Sequence, residues 1–92
     1  MFTNNRPGGF AIQFDNGYTV SVVFAAGSYS DNGRNYNFDE VIPAASENCE
    51  TAVIKPDGEF LRREGDNDDV RGWQTPQEVA DTLSWVATLG GE

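Results

Sequence analysis

The densest chemistry in the chain is Glu64-Gly65-Asp66-Asn67-Asp68-Asp69, four carboxylates within six residues. Carboxylate oxygens are what calcium requires, and paired carboxylates are what acid/base catalysis uses. The spacing is not that of an EF-hand loop, which needs a glycine at its sixth position and a glutamate at its twelfth. Nothing in the sequence desolvates one particular pair, as acid/base work would require. The run therefore reads as a solvated acidic loop leading into Arg71 and Trp73. The chain has no histidine, so the commonest general base and the commonest transition-metal ligand are both missing. Ser21, Ser28, Ser30, Ser46 and Ser84 have no imidazole to activate them. The single cysteine, Cys49, excludes an intramolecular disulfide and a cysteine-based zinc cluster, and reads as a small buried or half-buried apolar side chain and not a nucleophile. Gly8-Gly9 precede a strand and not a helix, so they form no phosphate-binding loop. The expectation is a non-enzyme with no cofactor and no metal.

The charge is large and uneven. Fifteen Asp and Glu against six Lys and Arg leave a net charge of −9 over 92 residues. That sign argues against nucleic acid as a direct partner, because phosphate contacts need clustered Lys and Arg. Residues 1–38 hold two acids and two bases, so the whole excess lies in residues 39–92. No apolar run approaches the roughly 18 residues that would span a bilayer, and no signal-peptide pattern opens the chain. The length fits one domain, residues 1–92, soluble and intracellular, that buries somewhat over ~60% of its unfolded surface.

The elements that must carry these groups are legible from periodicity. Residues 9–14 and 18–24 alternate with a period of two around Asp15-Asn16-Gly17, a strong turn signal. A two-residue loop would set Phe14 against Thr19 and Ile12 against Ser21. A three-residue loop with Gly17 left-handed instead pairs Phe14 with Tyr18, Ile12 with Val20 and Phe10 with Val22. Opposite side chains share a face, so this second register gathers six apolar groups and is the one expected. Residues 50–55 and 59–63 form a second hairpin around Pro56-Asp57-Gly58, pairing Ile54 with Phe60 and Val53 with Leu61. Its apolar groups fall on both faces. Residues 26–46 are turn-rich, and Tyr29, Tyr36 and Phe38 within them either cover a sheet edge or form a binding loop; Val41-Ile42-Pro43 reads as a short extended piece. Thr75-Pro76-Gln77-Glu78 is an N-cap, a proline at the first helical position and a capping-box glutamate. The helix over 75–89 carries an apolar stripe of Val79, Ala80, Leu83, Val86 and Ala87, and Gly90-Gly91 ends it. Trp85 points nearly opposite that stripe, and Leu89 lies between.

The predicted fold is α+β: an antiparallel sheet of about four strands in two hairpins, with one C-terminal amphipathic helix packed on one face. The predicted core is Phe10, Ile12, Phe14, Val20, Val22, Ile54, Phe60, Val79, Leu83 and Val86. Two features are left over for binding a partner. One is the acidic set Glu64, Asp66, Asp68 and Asp69; the other is the exposed apolar pair Trp73 and Trp85, with Trp85 the better surface candidate because tryptophan is enriched at interface hot spots, and Leu89 added to the partner-binding set. Trp73 is either a core anchor or a surface group.

The stretch Phe10-Ala11-Ile12-Gln13-Phe14-Asp15-Asn16-Gly17-Tyr18-Thr19-Val20-Ser21-Val22 is followed by a loop containing Asn and Tyr. Together with Ala52-Val53-Ile54, Pro56-Asp57-Gly58, Asp69-Val70-Arg71-Gly72 and Thr75-Pro76-Gln77-Glu78-Val79-Ala80, it resembles a family of small uncharacterised proteins of tailed bacteriophages. The resemblance spans most of the chain. The family pattern has a cysteine between positions 29 and 32, which this sequence lacks. It brings no family function and no site residues. It implies a phage origin, with action in the cytoplasm of the infected bacterium or in a virion. The expected function is a small acidic binding protein that modulates or inhibits a host protein, one with a nucleic-acid channel in which carboxylates stand where phosphates would go. The alternative is a phage structural or assembly protein without a host target, self-associating as a homo-oligomer through Trp85 and a sheet edge. Neither reading has the chain itself touch nucleic acid or membrane.

Overall fold

Residues 9–23 fold as their alternation requires. In the computed structural model, which describes residues 1–6, 8–24, 30 and 46–90, β2 (Gly9–Gln13) and β3 (Thr19–Val23) pair antiparallel, with Phe10 opposite Val22 and Ile12 opposite Val20. The Phe14 N–H donates to the Tyr18 carbonyl at 2.9 Å and the Gly17 N–H to the Phe14 carbonyl at 2.9 Å. Gly17 has φ 88°. The loop thus has three residues with a left-handed glycine, and the expected register holds.

Three more strands extend the sheet: β1 (Phe2–Arg6), β4 (Cys49–Ile54) and β5 (Val70–Gln74). The order is β1-β2-β3-β4-β5, and every neighbouring pair is antiparallel. Helix α1 (Pro76–Val86) packs on this sheet against β3. The α+β class stands, with five strands where about four were expected. The turn-rich stretch expected at residues 26–46, with its aromatics Tyr29, Tyr36 and Phe38 and the short extended Val41-Ile42-Pro43 piece, lies outside the described residues apart from Ser30 and Ser46.

Two departures explain the difference. Sequence reading started the sheet at Gly9, yet Phe2–Arg6 pairs along β2, with Phe2 opposite Ile12 and Asn4 opposite Phe10. This segment has two asparagines and no alternation, so propensity argues against it; an edge strand needs only backbone pairing on one side. The second hairpin is the other departure. Its turn forms, with Gly58 at φ 90° and the Lys55 N–H donating to the Glu59 carbonyl at 2.8 Å. Ile54 does face Phe60, and the Leu61 N–H reaches the Val53 carbonyl at 2.8 Å. There the arm stops being a strand. Further along the same edge of β4, its place is taken by β5, with Val70 opposite Ala52 and Arg71 opposite Thr51.

The core lies between the sheet and α1. Val20, Val22, Cys49, Val53 and Val86 form its buried cluster, and Phe10, Phe14, Leu61, Val79, Leu83 and Leu89 pack on it half-buried. Ile54 and Phe60, both expected in the core, are not there. Val53 pairs with Val20, so period-two alternation turns Ile54 to the opposite face beside Thr19. Phe60 follows Ile54 and is 48% exposed. Ile12 is half-buried on the helix-facing side by register.

The helix start is as read. The Thr75 hydroxyl accepts from the Glu78 N–H at 3.2 Å, and the Glu78 carboxylate accepts from the Thr75 N–H at 3.0 Å. The helix ends earlier than expected, at Val86, with Ala87 as C-cap. Its buried stripe is also rotated: Thr82 and Val86 are buried while Ala80 and Ala87 are exposed. Alanines contribute little apolar area, so the larger Val79, Leu83 and Leu89 set the packing direction. Among the described residues no helix is long and apolar enough to cross a membrane.

Candidate functional site

The acidic segment is an excursion from the edge of β4. The chain leaves the sheet after Leu61 and rejoins it at Val70, so residues 62–69 bulge out between two stretches paired to the same strand. Its neck is closed by Arg62, whose Nε and Nη2 both donate to Asp69 Oδ1 at 3.2 and 3.0 Å. Within it, Gly65 has φ 89°, and the Asp66 N–H donates to the Arg63 carbonyl at 3.0 Å. The Asp66 carboxylate is then gripped from β5: Arg71 Nε and Nη2 donate to its two oxygens at 2.9 and 3.0 Å. This fork geometry suits arginine and carboxylate, and it holds the Asp66 carboxyl below the usual carboxylate range while pushing Arg71 up.

Arg63 turns from the excursion onto the helix. Its guanidinium lies 4.9 Å from the Trp85 ring centroid, and its Nη2 donates to the buried Thr82 hydroxyl at 3.3 Å. Burial, and after it the neighbouring Arg71 charge, pulls the Arg63 pKa down. Among the described residues no carboxylate forms an ion pair with Arg63. Between the excursion and α1 lies an open cleft of about 300 Å³, walled by Arg63, Arg71, Glu78, Asp81, Thr82 and Trp85.

The sequence-predicted site residues are therefore dispersed in role. Asp66 and Asp69 are neutralised by arginines, Glu64 and Asp68 are exposed, and Asp68 accepts the Asp69 N–H at 2.7 Å. Four carboxylates and three guanidiniums over residues 62–71 leave a single net negative charge. Trp85 is 38% exposed at the cleft. Leu89 lies in the turn beyond the helix C-cap, packed on the core, with its carbonyl accepting from Asn16. Sequence reading missed Arg62, Arg63 and Arg71 as organisers of this surface. Their signal was the placing of Arg62, Arg63 and Arg71 on either side of the acidic run, which favours internal pairing over a uniform acidic face.

Trp73 resolves to the surface. It is 59% exposed and holds φ 50°, where the pairing of β4 with β5 shifts register between Cys49 and Thr51. Cys49 is buried, and burial pushes its thiol pKa up, with Glu50 and Glu78 adding to the shift. Such a thiol is a packing group and a poor nucleophile. Among the described residues no three acidic or thiol groups converge as a metal site would require.

These features define an antiparallel sheet-and-helix protein that presents a mixed-charge, tryptophan-edged cleft. No protein-family model, no curated protein and no solved structure matches the chain.

Proposed function

We propose that this chain is a binding module, not an enzyme, and that it acts on a basic host protein inside an infected bacterium. The phage context rests on the sequence resemblance. The observation that carries the binding role is Trp85, partly exposed at the mouth of the cleft and braced by the Arg63 guanidinium. Hot spots combine such an aromatic, at low entropic cost, with a polar rim that excludes water. The overall charge of −9 supports a basic partner. Of the carboxylates on the excursion and the cleft wall, Glu64, Asp68 and Asp81 have no arginine partner among the described residues, whereas Asp66 and Asp69 are held by arginines.

The test begins with capture of a stoichiometric partner from host lysate, followed by titration with the purified partner. Neutralising Glu64, Asp68 and Asp81 together is expected to slow association and flatten its salt dependence. Trp85→Ala is expected to raise the off-rate. Retention of no host protein, or binding indifferent to both changes, would sink the proposal.

A further inference from the structure

We propose that two copies of this chain join through the free edge of β1, extending the five-stranded sheet into one of ten strands. The inference is independent of the host-binding reading and uses a different surface. Among the described residues, β1 and β5 are the two edges of the sheet. Natural edges avoid pairing by bulges and charge. The β5 edge has both devices: a register shift at left-handed Trp73 and the charged excursion at its start. The β1 edge is regular from Phe2 to Asn4 and shifts register only after Asn4. Phe2 there is 78% exposed.

The hydrogen-bond phase of β1 specifies the pairing. The Gln13 N–H donates to the Met1 carbonyl at 2.8 Å. Antiparallel ladders alternate between bonded and non-bonded pairs, so Thr3 bonds to β2 while the backbone groups of Phe2 and Asn4 point away from it. A twofold axis through Thr3 satisfies all of these groups. Phe2 of one copy faces the partner's Asn4, Thr3 faces the partner's Thr3, and Asn4 faces the partner's Phe2. The partner's Phe2 then continues the helix-side row that runs through Asn4, Phe10 and Val22, so exposed aromatic surface becomes cross-strand contact.

Charge favours a second copy here over any other face. Residues 1–23, which form β1 to β3 and their turns, carry one acid and one base, Asp15 and Arg6, whereas residues 46–90 carry ten acids against four bases. Two like-charged molecules repel least when their neutral halves meet and their acidic halves lie outermost.

The experiment is sedimentation of the intact chain over a concentration series, with three variants. The wild type is expected to show a concentration-dependent dimer. Thr3→Cys is expected to form a disulfide-linked dimer under mild oxidation, because facing non-bonded residues have Cα atoms about 4.5 Å apart, within disulfide reach. Gln13→Cys, exposed one strand away, is the control and should not link; Cys49 is buried and does not compete. Asn4→Pro removes an N–H that points away from β2, so the monomer ladder survives while dimer affinity falls by roughly tenfold or more. If Asn4→Pro fails to fold, the cross-link carries the test alone. A wild type that stays monomeric at every concentration overturns the proposal. So does a dimer in which Thr3→Cys links no faster than Gln13→Cys, since its interface would then lie elsewhere.

Discussion

Asn16, in the turn between β2 and β3, caps the C-terminal end of α1 seventy residues away: its Nδ2 donates to the Val86 carbonyl at 2.8 Å. The same amide reaches the Leu89 carbonyl at 2.8 Å, and Asn16 Oδ1 accepts the Tyr18 N–H at 3.0 Å. The last carbonyls of a helix have no partner within it, so one turn residue supplies what α1 itself cannot. Asn16→Ala is expected to cost about 1–2 kcal/mol in denaturant titration. Asn16→Asp should cost more, since it sets a carboxylate against carbonyl oxygens at the negative end of the helix dipole.

Gly17 is constrained twice. Its φ of 88° disfavours any side chain, and a Cβ there would lie 3.2 Å from the Pro56 ring carbons. Gly17→Val combines left-handed strain with that contact and is expected to lose at least about 1–2 kcal/mol. Unchanged stability would mean that the turn can change type without loss.

Val86 is fully buried, whereas Leu83 is half-buried. Val86→Ala should therefore cost about 2–3 kcal/mol despite removing fewer atoms, and Leu83→Ala about 2 kcal/mol, the low end for its type. Equal and negligible losses in both would mean that α1 does not pack on the sheet.

Thr51 is buried against the core, and among the described residues its hydroxyl has no hydrogen-bond partner. An unsatisfied buried hydroxyl carries a desolvation cost that an isosteric methyl does not. Thr51→Val is expected to raise the denaturation midpoint, corresponding to about 1 kcal/mol.

The Asp66–Arg71 pair predicts an acid limb. Asp66 has a folded pKa below its unfolded value, so its contribution is complete above the unfolded pKa and disappears as pH falls through the folded one. Thermal melts from pH 7 downward should lose stability in that window. Asp66→Asn should flatten the fall there and leave the rest of the profile intact.

What the sequence determined alone was whatever neighbouring residues specify through periodicity and turn chemistry. The β2–β3 register followed from asking which loop length put Phe10, Ile12 and Phe14 on a common face, and the helix start followed from Thr75, Pro76 and Glu78. Those are short-range choices with one good answer. The second hairpin was legible only at its turn. Whether Val53 or Ile54 faced the helix depended on pairing with β3, a contact between residues more than thirty positions apart. β1 and β5 were invisible because edge strands need backbone partners more than apolar alternation, and Phe2–Arg6 and Val70–Gln74 have no alternation to read. The acidic run was recognised by composition, yet only the tertiary structure decided its character. The excursion brings Arg62 to Asp69, Arg71 to Asp66 and Arg63 onto Trp85, and that pairing converts an apparent negative patch into a nearly neutral, braced surface beside the helix.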